Sequence, residues 1–134
     1  KERLDQELEI GAEIQRRLFP RQCPNIPGLS IAARCKPANR VGGDYYDFIP
    51  TKTNSQQATA TPRIVSENAS WGLVIGDVMG KGVPAGLIMT MLRGMLRGEV
   101  LHGNTPAGIL QNLNRVMYAD LENSHRFVTM FYSE

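Results

Sequence analysis

The stretch Ile75-Gly76-Asp77-Val78-Met79-Gly80-Lys81-Gly82-Val83-Pro84-Ala85 decides how the rest of the chain is read. Before it, Trp71, Leu73, Val74 and Ile75 have the pattern of a buried strand that ends at Gly76-Asp77. A glycine-rich turn through Gly82 follows, and Pro84 suits the first turn of a helix running to about Leu101. Asp77 therefore sits at a strand end, in a loop where Gly76, Gly80 and Gly82 fall within seven residues. A tight strand-to-helix turn, with Asp77 accepting from backbone N–H groups, explains part of this pattern. The glycines also let backbone oxygens and a ligand come close, which a hard cation needs. Mg²⁺ and Mn²⁺ prefer carboxylate, carbonyl and water ligands.

Two phosphate-binding readings compete for the same stretch. A P-loop needs G-x-x-x-x-G-K-[ST]; here the spacing from Gly76 is one residue short, and Gly82 replaces the magnesium-binding hydroxyl. That reading fails. Gly80-Lys81-Gly82-Val83-Pro84-Ala85 does fit G-x-G-x-x-A after a strand and before a helix, so a dinucleotide-binding domain stays as an alternative. Against it, the acidic ribose ligand expected about 20 residues later would fall near Glu99, inside the helix.

Outward from this centre, Thr105 is a good N-cap with Pro106 at the first helical position, opening a helix to about Leu121. Its apolar face is Leu110, Leu113, Met117 and Leu121. Phe127 to Tyr132 forms a final strand, apolar on both faces. Upstream, a strand runs from about Asp44 to Ile49, and Leu29, Ile31, Ala33 and Cys35 alternate with Ser30, Ala32, Arg34 and Lys36 as in a half-buried strand. Residues 20–28, with three prolines and a glycine, make a linker. A helix over 1–19 is predicted from Leu4, Leu8, Ile14 and Leu18, although Gly11 and Gln15 interrupt the stripe; it fits the end of a coiled coil. Gly86, Thr90, Gly94 and Gly98 fall four apart and predict a ridge for close approach of the 105–121 helix or the sheet. Residues 51–70 are polar and aperiodic and read as an exposed insertion. The sum is an α+β chain, or one half of a layered α/β/β/α arrangement.

Composition narrows the function classes. The 134 residues suit one domain or part of one, and 42% apolar with 21% charged residues permits a packed core. Fifteen basic against thirteen acidic residues leave a net charge of +2, too balanced to point to nucleic acid. No apolar run approaches the roughly 20 residues of a membrane span. Cys23 and Cys35 fit neither a disulfide framework nor zinc spacing, so a reducing cytoplasm is expected. The chain begins with Lys1, so a missing signal peptide carries no weight.

A second acidic motif, Val41-Gly42-Gly43-Asp44-Tyr45-Tyr46-Asp47-Phe48, completes the set. Asp44 and Asp47 are three apart, so in a strand they point to opposite faces, and only one can join a fixed site unless the strand bends. Glycines 42 and 43 permit a bend or a close backbone approach. Solvated carboxylates on an edge strand are the competing explanation. No Ser/His/Asp or Cys/His set is evident, and His102 and His125 fall in loop-like segments.

Taken together, P-A-x-x-V-G-G-D-Y-Y-D-F (Pro37 to Phe48) followed by I-G-D-V-M-G-K-G-V-P-A (Ile75 to Ala85) resembles the bacterial SpoIIE-like phosphatases of the PPM, or type 2C, family. Ala12-Glu13-Ile14-Gln15-Arg16-Arg17-Leu18-Phe19-Pro20 is similar to that family's leading A-x-x-I-Q-x-x-L-x-P helix. Leu113-Asn114 with Phe127-Val128-Thr129 is similar to its later signature. The resemblance implies a sandwich of two antiparallel sheets flanked by helices, of which residues 21–134 are the N-terminal half and residues 1–20 a linker helix. It implies a metal-dependent serine/threonine phosphatase using two Mg²⁺ or Mn²⁺ ions, with Asp44 and Asp77 as ligands and Val78 contributing its backbone carbonyl. Apart from the resemblance, Arg40 lies close to the site in sequence and is a candidate phosphate contact, with a solvated arginine as the competing and favoured reading. The implied substrate is a phosphorylated regulatory protein, an anti-sigma-factor antagonist. Residues 1–19 would join the domain to an upstream sensor, within a homodimer. Family members continue for roughly another hundred residues and carry two more metal-binding aspartates, so these 134 residues alone are expected to be inactive. A non-catalytic, partner-binding module of the same fold is the alternative of a different class.

Overall fold

The computed structural model describes residues 1–51 and 70–134. Six elements follow in order: α1 (Glu2–Leu18), β1 (Asp44–Pro50), β2 (Trp71–Val78), α2 (Gly82–Leu101), α3 (Pro106–Asn123) and β3 (Val128–Ser133). The strands form one antiparallel sheet in the order β1-β2-β3. The insertion expected at 51–70 lies outside the described residues except for its ends, Thr51 and Ser70. At its base, the Thr51 N–H and hydroxyl both donate to the Ser70 carbonyl at 3.1 Å, continuing the β1–β2 ladder outward.

Strand alternation sorts the sheet into two faces. Tyr45, Asp47 and Ile49 of β1, Val74 and Val78 of β2, and Tyr132 of β3 are buried on one face. The helices cover that face. In α2 the buried residues are Ala85, Met89, Leu92, Leu96 and Val100, spaced at three and four as one helical stripe requires. In α3 they are Ile109, Leu113 and Met117. Each fully buried Val, Leu, Ile or Met of this cluster contributes about 1.5–3 kcal/mol relative to exposure. Thr105 caps α3 as expected, accepting from the Gly108 N–H at 3.2 Å, with Pro106 in the first turn. The chain is thus α+β, with helices packed on one face of a three-stranded sheet.

Three expectations need correction. Residues 30–36 form no strand: Leu29 meets Ile26 in an isolated bridge, and nothing beyond joins a ladder. The period-2 pattern there is real, but a strand needs a neighbour, and β1 pairs only with β2 among the described residues. The small-residue ridge on α2 also differs from expectation. A Cβ at Gly94 or Gly98 would meet nothing within 4 Å, whereas one at Gly86 would strike Val41 Cγ1 and approach the Gly42 carbonyl to 3.3 Å. Only Gly86 is a packing glycine, and its partners are α1 and the 41–42 loop. Finally, the dinucleotide-binding alternative is excluded by topology. That fold requires parallel strands joined through a helix, and among the described residues both strand pairs are antiparallel.

Candidate metal centre

β1 opens at Asp44 and β2 reaches Asp77 just before its end, and antiparallel pairing makes the two Cα partners. Both side chains point to the face that the helices leave open. They line a cleft of about 540 Å³ with Arg34, Cys35, Ile75 and Phe131. The segment that failed to pair as a strand thus forms one wall of this cleft.

The neighbouring backbone is drawn tight around the pair. Val78 donates its N–H to the Gly43 carbonyl at 3.2 Å. A side chain at Gly43 would place its Cβ 2.8 Å from the Val78 carbonyl oxygen and 3.0 Å from Ala85 Cβ, so only glycine admits this approach. Beyond Val78, Gly80 and Gly82 have φ of 100° and 71°, conformations that demand glycine in a turn this short. Arg126 braces the turn by donating to the Met79 carbonyl at 2.8 Å. The Asp77–Val78 end of β2 is thereby held from both sides.

Electrostatics sharpen the picture. Burial, and then the neighbouring Asp77 carboxylate, push the Asp44 carboxyl above its ordinary range. Burial and Asp44 likewise push the Cys35 thiol up. Two carboxylates held against their mutual repulsion, with a backbone carbonyl at hand, are the donor chemistry a hard dication relieves. The residues fit Mg²⁺ or Mn²⁺. Among the described residues no group of three or more His, Cys, Asp or Glu side chains gathers around one point, so the fit concerns these two carboxylates and the Val78 carbonyl.

Asp47 points to the opposite face, as its spacing from Asp44 requires. It is not a solvated carboxylate: it is fully buried, and Arg97 of α2 closes on both its oxygens at 2.7 Å while the Tyr45 hydroxyl donates at 2.7 Å. Arg40 lies in a smaller hollow of about 130 Å³ that also includes Asp44 and Gln15. Its guanidinium currently pairs with Asp5 at 3.3 Å and Glu9 at 3.8 Å, both on α1. The sequence reading missed two contacts here. Gln15, which interrupts the apolar stripe of α1, is buried and hydrogen-bonds both polar groups of Gly42. Arg97 carried no signal beyond being, with Arg93, one of two cations on the mostly apolar helix α2.

Residues 67–134 match the family model described as "Stage II sporulation protein E (SpoIIE)". The chain is 35% identical over 127 residues to "Phosphoserine phosphatase RsbU" of Bacillus subtilis, covering 95% of this chain and 33% of RsbU. It is 33% identical over 102 residues to "Protein IcfG" of Synechocystis, covering 76% of this chain and 13% of that protein. "Phosphoserine phosphatase RsbP" of Bacillus subtilis is 21% identical over 131 residues, covering 96% of this chain and 28% of RsbP. The chain therefore spans about a third or less of each of these relatives. Within the described residues no helix is long and apolar enough to cross a membrane. The motif order, the paired aspartates and these matches agree: the chain belongs to the SpoIIE family of PPM-type phosphatases.

Proposed function

We propose that the chain is the N-terminal half of a metal-dependent serine/threonine protein phosphatase domain. The observation that carries this is the cross-strand pairing of Asp44 with Asp77 beside the Val78 carbonyl, in a chain 35% identical to a phosphoserine phosphatase. Asp44 and Asp77 would hold Mg²⁺ or Mn²⁺ through their carboxylates, and Val78 through its carbonyl oxygen, with the remaining ligands from residues outside this chain. Bound ions supply positive charge to the phosphate and an acidified water as nucleophile, so no serine or cysteine nucleophile is required.

The chain's own residues have three tasks. The β1–β2 ladder fixes the carboxylates at one separation, and the Gly43 approach fixes Val78 against β1. The sheet face around Ile75 and Phe131 lines the cleft with apolar surface, which strengthens electrostatic interactions inside it. Arg40 is the candidate phosphate contact, and it would serve only by leaving Asp5 and Glu9. Two relatives named as phosphoserine phosphatases support a phosphoserine substrate, and the family resemblance extends this to phosphothreonine and to an anti-sigma-factor antagonist as its carrier. In this reading α1 joins the domain to an upstream sensor in a cytoplasmic homodimer, and the 134 residues alone are inactive.

The test uses the full-length protein. Asp77→Asn should abolish Mn²⁺-dependent hydrolysis of a phosphoserine protein while circular dichroism stays unchanged; near-normal turnover would remove the mechanism.

A further inference from the structure

Gln15 is only 7% exposed on a helix whose other side chains mostly face solvent. Both ends of its amide are committed to one residue. Nε2 donates to the Gly42 carbonyl at 2.9 Å, and Oε1 accepts from the Gly42 N–H at 3.0 Å. Nε2 also lies 3.8 Å from the Met89 sulfur of α2. A side-chain amide that closes on both polar groups of one residue acts as a neighbouring strand does, fixing the orientation of the residue as well as its position.

The residue so held is well placed to matter. Gly42 and Gly43 are consecutive glycines, the pair of residues with the greatest backbone freedom to lose. The next residue is Asp44. Left alone, such a hinge would let β1 begin in many directions. Gln15 removes that freedom at Gly42, and the hydrogen bond from the Val78 N–H removes it at Gly43. Gly86 of α2 makes room for the clamp: a Cβ there would come within 3.0 Å of Gln15 Nε2. Packing α1 onto the domain needs none of this, since an apolar side chain would serve without an amide to desolvate.

We propose that Gln15 is a positioning residue of the metal centre, which clamps Gly42 and thereby holds Asp44 opposite Asp77 at the separation a dication requires. The proposal rests on the metal-centre reading above. It makes α1 part of the site without contact to any ligand, as outer partners of metal ligands commonly are.

The experiment is a Mn²⁺ titration of the full-length protein, following free Mn²⁺ by its electron paramagnetic resonance signal. Gln15→Met keeps length and bulk and removes both hydrogen bonds; it should raise the Mn²⁺ Kd by about tenfold or more. Gln15→Asn, one methylene too short to reach both groups, should give the same rise and serves if the Met variant does not fold. Leu18→Ala loosens α1 with the amide intact and should leave the Kd within about twofold, well short of the loss expected on removing an outer partner. Wild-type affinity in the folded Gln15 variants overturns the proposal, and so does an equal loss in Leu18→Ala. Asp77→Asn separates the two readings. If it too binds Mn²⁺ normally, the metal centre itself is wrong; if it loses the ion while Gln15→Met keeps it, only the positioning role falls.

Discussion

Asp44 stands directly across the β1–β2 ladder from Asp77, so one cross-strand pair on the open sheet face carries two carboxylates. Like charges at such positions destabilise a sheet. The raised Asp44 carboxyl means that the native state retains a proton the unfolded chain has already released. The metal-free protein therefore loses stability as pH climbs from the ordinary aspartate value of 3.8 through the raised native one. Asp44→Asn removes this penalty. Without metal and near neutral pH, the variant should be more stable than the parent by about 0.5–1 kcal/mol, and it should lack the stabilisation by Mn²⁺ that the proposed metal centre predicts for the parent. Urea unfolding with a chelator and with Mn²⁺ checks both halves, and a variant less stable than the parent in chelator contradicts the account.

Asp47 obeys opposite physics three residues later. It is fully buried, and its charge is balanced by Arg97 through two hydrogen bonds of 2.7 Å, with Arg93 at 3.9 Å. Burial lifts the Tyr45 phenol well above its ordinary range, and the adjacent Asp47 adds to the shift, so the hydroxyl remains a donor. Arg97→Met strands a buried carboxylate and should cost about 3–5 kcal/mol in urea unfolding. Arg97→Lys should recover only part of that, because an ammonium cannot match the two-point fork. The double variant Asp47→Asn/Arg97→Met should be more stable than Arg97→Met alone.

The split between what was legible and what was not follows one physical line. Elements set by local periodicity and turn chemistry, such as Thr105-Pro106 at the start of α3 and the alternation in β1, are written within a few residues. Their bounds moved by one or two positions, as where β2 runs on through Asp77 to Val78, and Ile109 rather than Leu110 lies in the core. The opposite orientation of Asp44 and Asp47 followed from strand geometry alone. Non-local facts were hidden. That residues 30–36 lack a strand partner, that Arg97 reaches Asp47, and that Gln15 reaches Gly42 all depend on chain segments 27 to 50 residues apart or more. Gln15 gave a signal, a polar residue breaking an apolar stripe, but the stripe itself does not say what the amide bonds.

The glycines of α2 make a paired prediction. Gly94 has open space where a Cβ would go, so Gly94→Ala should stabilise the helix by about 0.5–1 kcal/mol. Gly86→Ala gains the same propensity but drives its methyl into Val41 and toward the Gln15 amide, so it should be destabilising. Thermal unfolding of the two variants decides the matter. Destabilisation at both positions would restore the ridge reading.

Tyr46, Ile75 and Phe131 occupy one row across β1, β2 and β3, on the face without helices. Ile75 is 63% and Phe131 67% exposed, and the row lies beside the aspartate pair. An apolar row of this kind, on a sheet whose β1 and β3 have unpaired outer edges among the described residues, is a surface for association. Expressed as these 134 residues alone, the chain should self-associate at about 100 µM, within the range where exposed apolar surface drives aggregation. Phe131→Lys should shift it toward monomer in light scattering, with helix content unchanged, because residue 131 touches no helix-facing core. In the full-length protein the same substitution has the opposite sign. If further chain covers this face there, a lysine at 131 becomes a buried charge and should lower the melting temperature by several degrees. A monomeric 134-residue chain together with a full-length protein indifferent to Phe131→Lys would mean that the row is an ordinary solvated surface in both.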